Sequence, residues 1–159
     1  MKTIIVYASK HGTTEKVANI LGDSLKDVEV VDVKRVKDYN LRVFDAVIVG
    51  GSIHAGNIQS SIKMFCKDNV DLLLEKKLGL FITCMFEEKS KRVEQLNNAF
   101  SEELRKHSVA LGVLGGEFLF EKMNFMEKLM IKIIAKTSKS KSSIDYDAIK
   151  KFVKDFKKK

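Results

Sequence analysis

The sequence predicts an α/β fold, a parallel sheet covered by helices on both faces, on three observations. Short apolar runs rich in Val, Ile, Leu and Phe alternate along the whole chain with segments of helical period. Continuous apolar runs of this kind mark strands buried on both faces. The chain also opens as strand, loop and helix: Ile4-Ile5-Val6-Tyr7 breaks into the polar stretch Ser9-Lys10-His11-Gly12-Thr13-Thr14. Val17, Ala18, Ile20 and Leu21 then follow at helical spacing. Finally, 159 residues suffice for one substantial core and are too few for two comfortable ones. The expectation is a single domain over residues 1–159, a three-layer α/β/α sandwich with a five-stranded parallel sheet.

Strands are expected at 3–8, 28–33, 45–50, 78–84 and 109–114, each apolar and each ending in Gly, Ser, Thr or a charged turn. Helices are expected at 13–26, 58–74, 89–107, 124–136 and 145–157. No proline- or glycine-rich linker and no repeat interrupts the alternation. The single low-complexity stretch, SKSKSS at 138–143, reads as a surface loop.

Composition narrows the function. No apolar run approaches the length of a membrane span, and only Met1-Lys2-Thr3 precede the first strand, so neither a spanning helix nor a secretory leader is expected. Cys66 and Cys84 lack Cys-x-x-Cys spacing and fit a reducing cytoplasm. The three histidines are too scattered for a zinc site, and no aromatic-basic motif suggests nucleic acid. The net charge of +8 is the oddity. Part of it is local, since Lys150, Lys151, Lys154 and residues 157–159 read as a solvated helix end or as a patch for an anionic partner or membrane.

The opening loop carries the chemistry. A buried strand that turns directly into a helix crowds backbone N–H groups around the positive end of the helix dipole, a natural seat for phosphate. The Walker pattern G-x-x-x-x-G-K-[ST] is absent. A dinucleotide fingerprint fails because the turn offers only Gly12, with Asp32 its lone acidic support. What remains is a loop whose Ser9, Thr13 and Thr14 hydroxyls can hold a monophosphate, with Lys10 beside them.

Ile5-Val6-Tyr7, Ser9, Gly12, Thr14, Ala18 and Leu21 stand in register with the signature of flavodoxins, and the chain resembles that superfamily. The resemblance implies a flavodoxin-like sheet of order 2-1-3-4-5 and FMN as cofactor. Ser9, Lys10, His11, Gly12, Thr13 and Thr14 would then hold its phosphate. Ligands in such sheets sit beyond the carboxyl ends of the strands at the switch point, which brings two further loops to the first. One is Ser52-Ile53-His54-Ala55-Gly56-Asn57, whose backbone would frame the ring edge, with His54 either a proton donor or a bystander. The other is Thr83-Cys84-Met85-Phe86. Thr83 would meet the pyrimidine edge, Cys84 would pack as a small apolar group, and Phe86 would cover the ring or join the core.

The stretch GSIHAGNIQSSIKMFC and the later GGEFLF and NFMEKLMIKIIAK resemble, more narrowly, the menaquinone-dependent protoporphyrinogen IX dehydrogenases, at Gly51, Ser52, Ile53, Gly56 and Phe65 and at Met130-Ile131-Lys132. That family implies an FMN oxidoreductase of haem biosynthesis, with a porphyrinogen-like substrate and a quinone acceptor at the membrane face. The chain departs from it after the fifth strand, where Phe118, Leu119, Phe120 and Glu121 replace a loop rich in Arg and Tyr. The alternative is a flavodoxin-type electron carrier serving redox protein partners. Carriers of that kind are typically acidic and sandwich the ring between Trp and Tyr, whereas this chain is basic and has no Trp. In the helix at 124–136, Phe125, Met126, Leu129, Met130, Ile133 and Ile134 form one face, and Lys128, Lys132 and Lys136 a basic ridge. It would pack on the sheet or seek an anionic surface, giving a cytoplasmic protein with peripheral membrane contact.

Overall fold

The computed structural model describes residues 1–36, 39–86, 88–118, 120–135, 141–142 and 144–158. In chain order the elements are β1 (Thr3–Ala8), α1 (Thr13–Asp23), β2 (Val28–Asp32), β3 (Ala46–His54), β4 (Asn57–Ile58), α2 (Ser60–Asp68), α3 (Val70–Glu75), β5 (Lys77–Thr83), α4 (Lys89–Ala99), α5 (Glu102–His107), β6 (Ala110–Val113), β7 (Glu117–Phe118), α6 (Phe125–Ala135), β8 (Lys141–Ser142) and α7 (Tyr146–Lys157). The main sheet runs β2-β1-β3-β5-β6, with every neighbouring pair parallel. Counting the five parallel strands alone, this is the expected order 2-1-3-4-5. The chain reverses its direction of growth between β1 and β3, and the crevice opens at their carboxyl ends.

Side chains alternate across β1 as the pleat requires. Ile4, Val6 and Ala8 join a core under α2 to α5 that includes Phe65, Leu73 and Leu104. Ile5 and Tyr7 enter the opposite core with Val17, Leu21, Phe152 and Phe156 of α1 and α7. Both faces are sealed, which is why β1 reads as an unbroken apolar run.

Several boundaries differ from expectation for local reasons. The helix expected at 58–74 is two: Asn69, at φ −120° and ψ 16°, leaves helical geometry between α2 and α3, and its side chain donates to the Phe65 carbonyl at 2.9 Å. The helix expected at 89–107 also divides. Phe100 is extended, and Ser101 caps α5 by accepting from the Leu104 N–H. The largest difference lies after β3. Residues 51–57 form no open loop. Instead β3 continues to His54 and pairs antiparallel with β4 through Ile53–Ile58 and His54–Asn57. The turn residues Ala55 and Gly56 have φ of 47° and 78°, the positive values a two-residue type I′ hairpin requires. Of the expected surface loop at 138–143, Lys141 and Ser142 are a strand paired with β7, and the rest lies outside the described residues.

Candidate functional site

β1 delivers the chain to residues 9–12 at the crevice. Gly12 stands at φ 97°, a left-handed conformation that costs an L side chain roughly 1–2 kcal/mol. Its N–H donates to Ser9 Oγ at 3.0 Å, which closes the turn. Gly12 has no side chain with which to cap α1, so the helix starts without a side-chain hydrogen bond at its positive end. A helix N-terminus entered this way suits an anion. Thr13 and Thr14 are buried against it.

The three expected loops do come together. Thr14 Oγ1 and Thr83 Oγ1 lie 3.0 Å apart in a buried contact between α1 and the end of β5. The Thr14 hydroxyl is thus tied to the third loop. Gln59, which sequence reasoning missed, ties the first loop to the second. Its side-chain oxygen accepts from the Ser52 N–H at 2.9 Å, and its amide donates to the Ala8 carbonyl at 3.2 Å. The Cys84 N–H donates to the Gly115 carbonyl at 2.9 Å, fixing the third loop to the segment after β6. Replacing Thr14 and Thr83 by Val, singly and together, is expected to show a coupling of about 1 kcal/mol in a double-mutant cycle of unfolding free energies. Simple additivity would mean that the hydroxyl contact does not join the loops.

His54 sits at the hairpin end, its Nε2 2.9 Å from Ser52 Oγ and its ring 6.1 Å from that of His11. Its outer edge meets solvent. The protein packed around it, and then the charges of Lys10, His11 and Lys34, push its pKa down to about 4. His54 is therefore a neutral imidazole at pH 7, which argues against its use as an acid there in the ligand-free chain. The unfolded imidazole takes a proton near pH 6.5 and the folded one only near pH 4. Acidification through that window therefore favours unfolding, while stability is retained above it. The His54→Gln variant is expected to show a shallower fall of the urea midpoint between those two pH values than the wild type. Superimposable profiles would contradict the depressed pKa.

At the third loop, Thr83 and Cys84 are buried, whereas Phe86 is 37 % exposed and so does not join the core. Its carbonyl accepts from Arg92 Nε at 2.5 Å, and Lys91 Nζ stands 5.9 Å from its ring centroid. Burial pushes the Cys84 thiol up, which makes it a poor nucleophile. Met85 follows Cys84, half-buried at the rim. Behind the hairpin, Gln95 Oε1 is buried without a hydrogen-bond partner. It lies 3.9 Å from where a Cβ on Gly56 would stand. A buried acceptor of this kind is costly unless a donor meets it.

Cations converge on the first loop from three segments. Lys10 belongs to it. Lys34 Nζ donates to the Ser9 carbonyl at 3.4 Å, and Lys122 Nζ stands 3.7 Å from where a Gly12 Cβ would be. A carboxylate reaches the same loop: Glu127 of α6 pairs with Lys10 and, at 3.4 Å, with His11 Nε2. Asp32 is occupied elsewhere, accepting from the Lys34 N–H at 2.9 Å and pairing with Arg35, which leaves the dinucleotide reading without its acidic residue. The face of α6 does not pack on the sheet: Phe125 is 78 % and Ile133 69 % exposed, with Met126, Leu129 and Met130 also open. The Ile134 side chain and Lys136 lie outside what is described. Among the described residues, no helix is long and apolar enough to cross a membrane, and no group of three or more His, Cys, Asp or Glu could hold a metal.

Residues 4–145 match the family model of the flavodoxin domain. The chain belongs to the flavodoxin domain family. Among relatives of this flavodoxin domain, the protoporphyrinogen IX dehydrogenase (quinone) of Escherichia coli (strain K12) is 23 % identical over 146 residues, covering 87 % of this chain and 81 % of that one. Among solved structures, oxidised flavodoxin 1 of Bacillus cereus aligns over 98 % of this chain and 97 % of its own, with a TM-score of 0.53 and 16 % identity. The flavoprotein of Lactobacillus acidophilus NCFM in complex with FMN covers 72 % of this chain and 91 % of its own, with a TM-score of 0.51 and 16 % identity.

Within the flavodoxin domain, the residues missed from sequence are Lys34, Gln59, Gln95, Lys122 and Glu127. Asn124 and Glu127 form a reciprocal capping box at the start of α6, and the Asn-x-x-Glu spacing is a legible sign of a helix start. Nothing in the spacing says that the same carboxylate reaches a loop more than a hundred residues earlier.

Proposed function

We propose that this flavodoxin domain acts as a single FMN-binding unit and is an FMN-dependent oxidoreductase, most like the protoporphyrinogen IX dehydrogenases that use quinone. The observation that carries the cofactor is the seat at residues 9–14, a left-handed glycine opening a helix that no side chain caps. Ser9, Lys10, His11, Gly12 and Thr13 hold the phosphate, and Thr14 fixes the seat through Thr83. The donor set fits a dianion, since backbone N–H groups and hydroxyls are joined by cations from three segments. Ser52, Ile53, His54, Ala55, Gly56 and Asn57 form a flat hairpin for the ring edge, and Thr83, Cys84, Met85 and Phe86 form the opposing wall.

When bound, FMN supplies hydride and electron transfer, and the protein positions and tunes it. Exposed Phe86 offers a face on which a ring can stack, worth about 0.5–1.5 kcal/mol beyond burial. His54, neutral at pH 7, serves as a hydrogen-bond partner at the ring edge. The basic, apolar surface of α6 beside the seat favours a greasy acidic substrate and contact with an anionic membrane from the cytoplasmic side. The test is anaerobic reduction of the FMN-loaded protein, followed by menaquinone, and separately the oxidised protein with protoporphyrinogen. Turnover with both is expected. Exchange of electrons with a flavodoxin reductase alone, and with neither small molecule, would instead make the protein an electron carrier.

A further inference from the structure

Glu127 is a carboxylate in an anion site. Its two oxygens engage Lys10 and His11 of the phosphate loop, and one of them also accepts from the Asn124 N–H at 3.0 Å. The His11 contact is sheltered, with the Glu127 side chain 21 % and the His11 side chain 14 % exposed, whereas Lys10 reaches in from the surface, its side chain 46 % exposed. Lys122, from the turn just before α6, stands over Gly12. The segment from Lys122 to Glu127 therefore meets the loop on its ligand side. Meanwhile Phe125, Met126 and Ile133 face solvent, so among the described side chains of the helix these large apolar ones do not hold it in place.

We propose that Glu127 is an internal competitor for the phosphate: α6 docks on the phosphate loop through this carboxylate and is released when a phosphate dianion takes Lys10 and His11. This inference rests on the FMN reading. A phosphate monoester carries nearly two charges at neutral pH, and it meets the helix N-terminus as well as the cations. It outcompetes a single carboxylate and repels it. Once displaced, Glu127 keeps only its capping bond to Asn124, and α6 has two arrangements biased by one ligand. Linkage makes the effect reciprocal: whatever binds the released α6 raises the affinity for the phosphate. Loading of the cofactor is thereby coupled to the presentation of a basic, apolar helix beside the site.

The test uses the full chain, wild type and Glu127→Gln, titrated separately with FMN, riboflavin and inorganic phosphate. Backbone amide exchange over residues 122–133 is followed by mass spectrometry. Glutamine keeps an oxygen for the Asn124 N–H, so the helix cap survives. The variant is expected to bind FMN about fivefold more tightly, the scale of losing the one ion pair with Lys10, with riboflavin unchanged. In the wild type, FMN and inorganic phosphate are expected to speed exchange over 122–133, and riboflavin is not. Lys10→Met is expected to speed it without any ligand. Equal FMN affinities, or exchange that FMN slows or leaves alone, would overturn the competition while leaving the FMN reading standing. Failure of both proteins to bind FMN would remove both.

Discussion

The Gly12→Glu variant is expected to lose FMN binding by at least about a hundredfold while remaining folded. Two effects add. The position requires φ near 97°, and a non-glycine residue there costs roughly 1–2 kcal/mol. The new carboxylate would also stand in the mouth of the seat, where Lys122, 3.7 Å from the Cβ position, would hold it. A fixed negative charge within a few ångströms of a phosphate is worth several kcal/mol at an effective dielectric near ~20. Gly12→Ala separates the terms, since it carries the strain without the charge and should weaken FMN roughly tenfold. Fluorescence titration of FMN against the three proteins reads both. An FMN affinity for Gly12→Glu equal to that of Gly12→Ala would show that no phosphate sits there.

The largest expected effect on stability is that of Gly50→Ala. Gly50 lies in the middle strand, paired with Tyr7 on one side and Phe81 on the other. A Cβ there would stand 2.0 Å from Phe81 Cζ and 2.1 Å from its Cε1. Phe81 cannot yield easily, because it is fully buried and set edge-on to Phe152 at 6.3 Å. Overpacking of this severity costs about 3 kcal/mol, or roughly 6–12 °C in Tm for a chain of this size. Gly50→Ala combined with Phe81→Leu should recover part of the loss, since leucine vacates the space the methyl needs. Calorimetry showing wild-type Tm for Gly50→Ala would contradict the packing.

Much of this architecture was legible because strand and helix periods are local properties. Ile4-Ile5-Val6-Tyr7 could be read as a doubly buried strand without knowing its neighbours, and β1 falls at Thr3–Ala8 as expected. The parallel sheet followed from the alternation of strands and helices, and its order from the resemblance. The hairpin after β3 was hidden because Gly50, Gly51 and Gly56 suggest a loop, while the actual turn places Ala55 at positive φ, where alanine gives no signal. The helix breaks at Asn69 and at Phe100–Ser101 were hidden for a related reason: apolar periodicity runs through a break of one or two residues almost unchanged.

The candidate site divides in the same way. The three loops were expected together, and the Thr14–Thr83 contact joins the first and third of them. The side chains that tie them are ordinary polar residues outside any motif. Gln59 and Glu127 acquire their importance from residues 51 and 117 positions away, which no local pattern encodes. Long-range pairing also changes chemistry: His54 reads as a near-neutral titrating group, and only the surrounding chain and its cations push it down to about 4.

The most direct test of the phosphate seat is calorimetric titration of the ligand-free protein with FMN, repeated in excess inorganic phosphate. The account predicts one FMN per chain, with apparent affinity falling as inorganic phosphate rises. Absence of binding, or binding indifferent to phosphate, would contradict it.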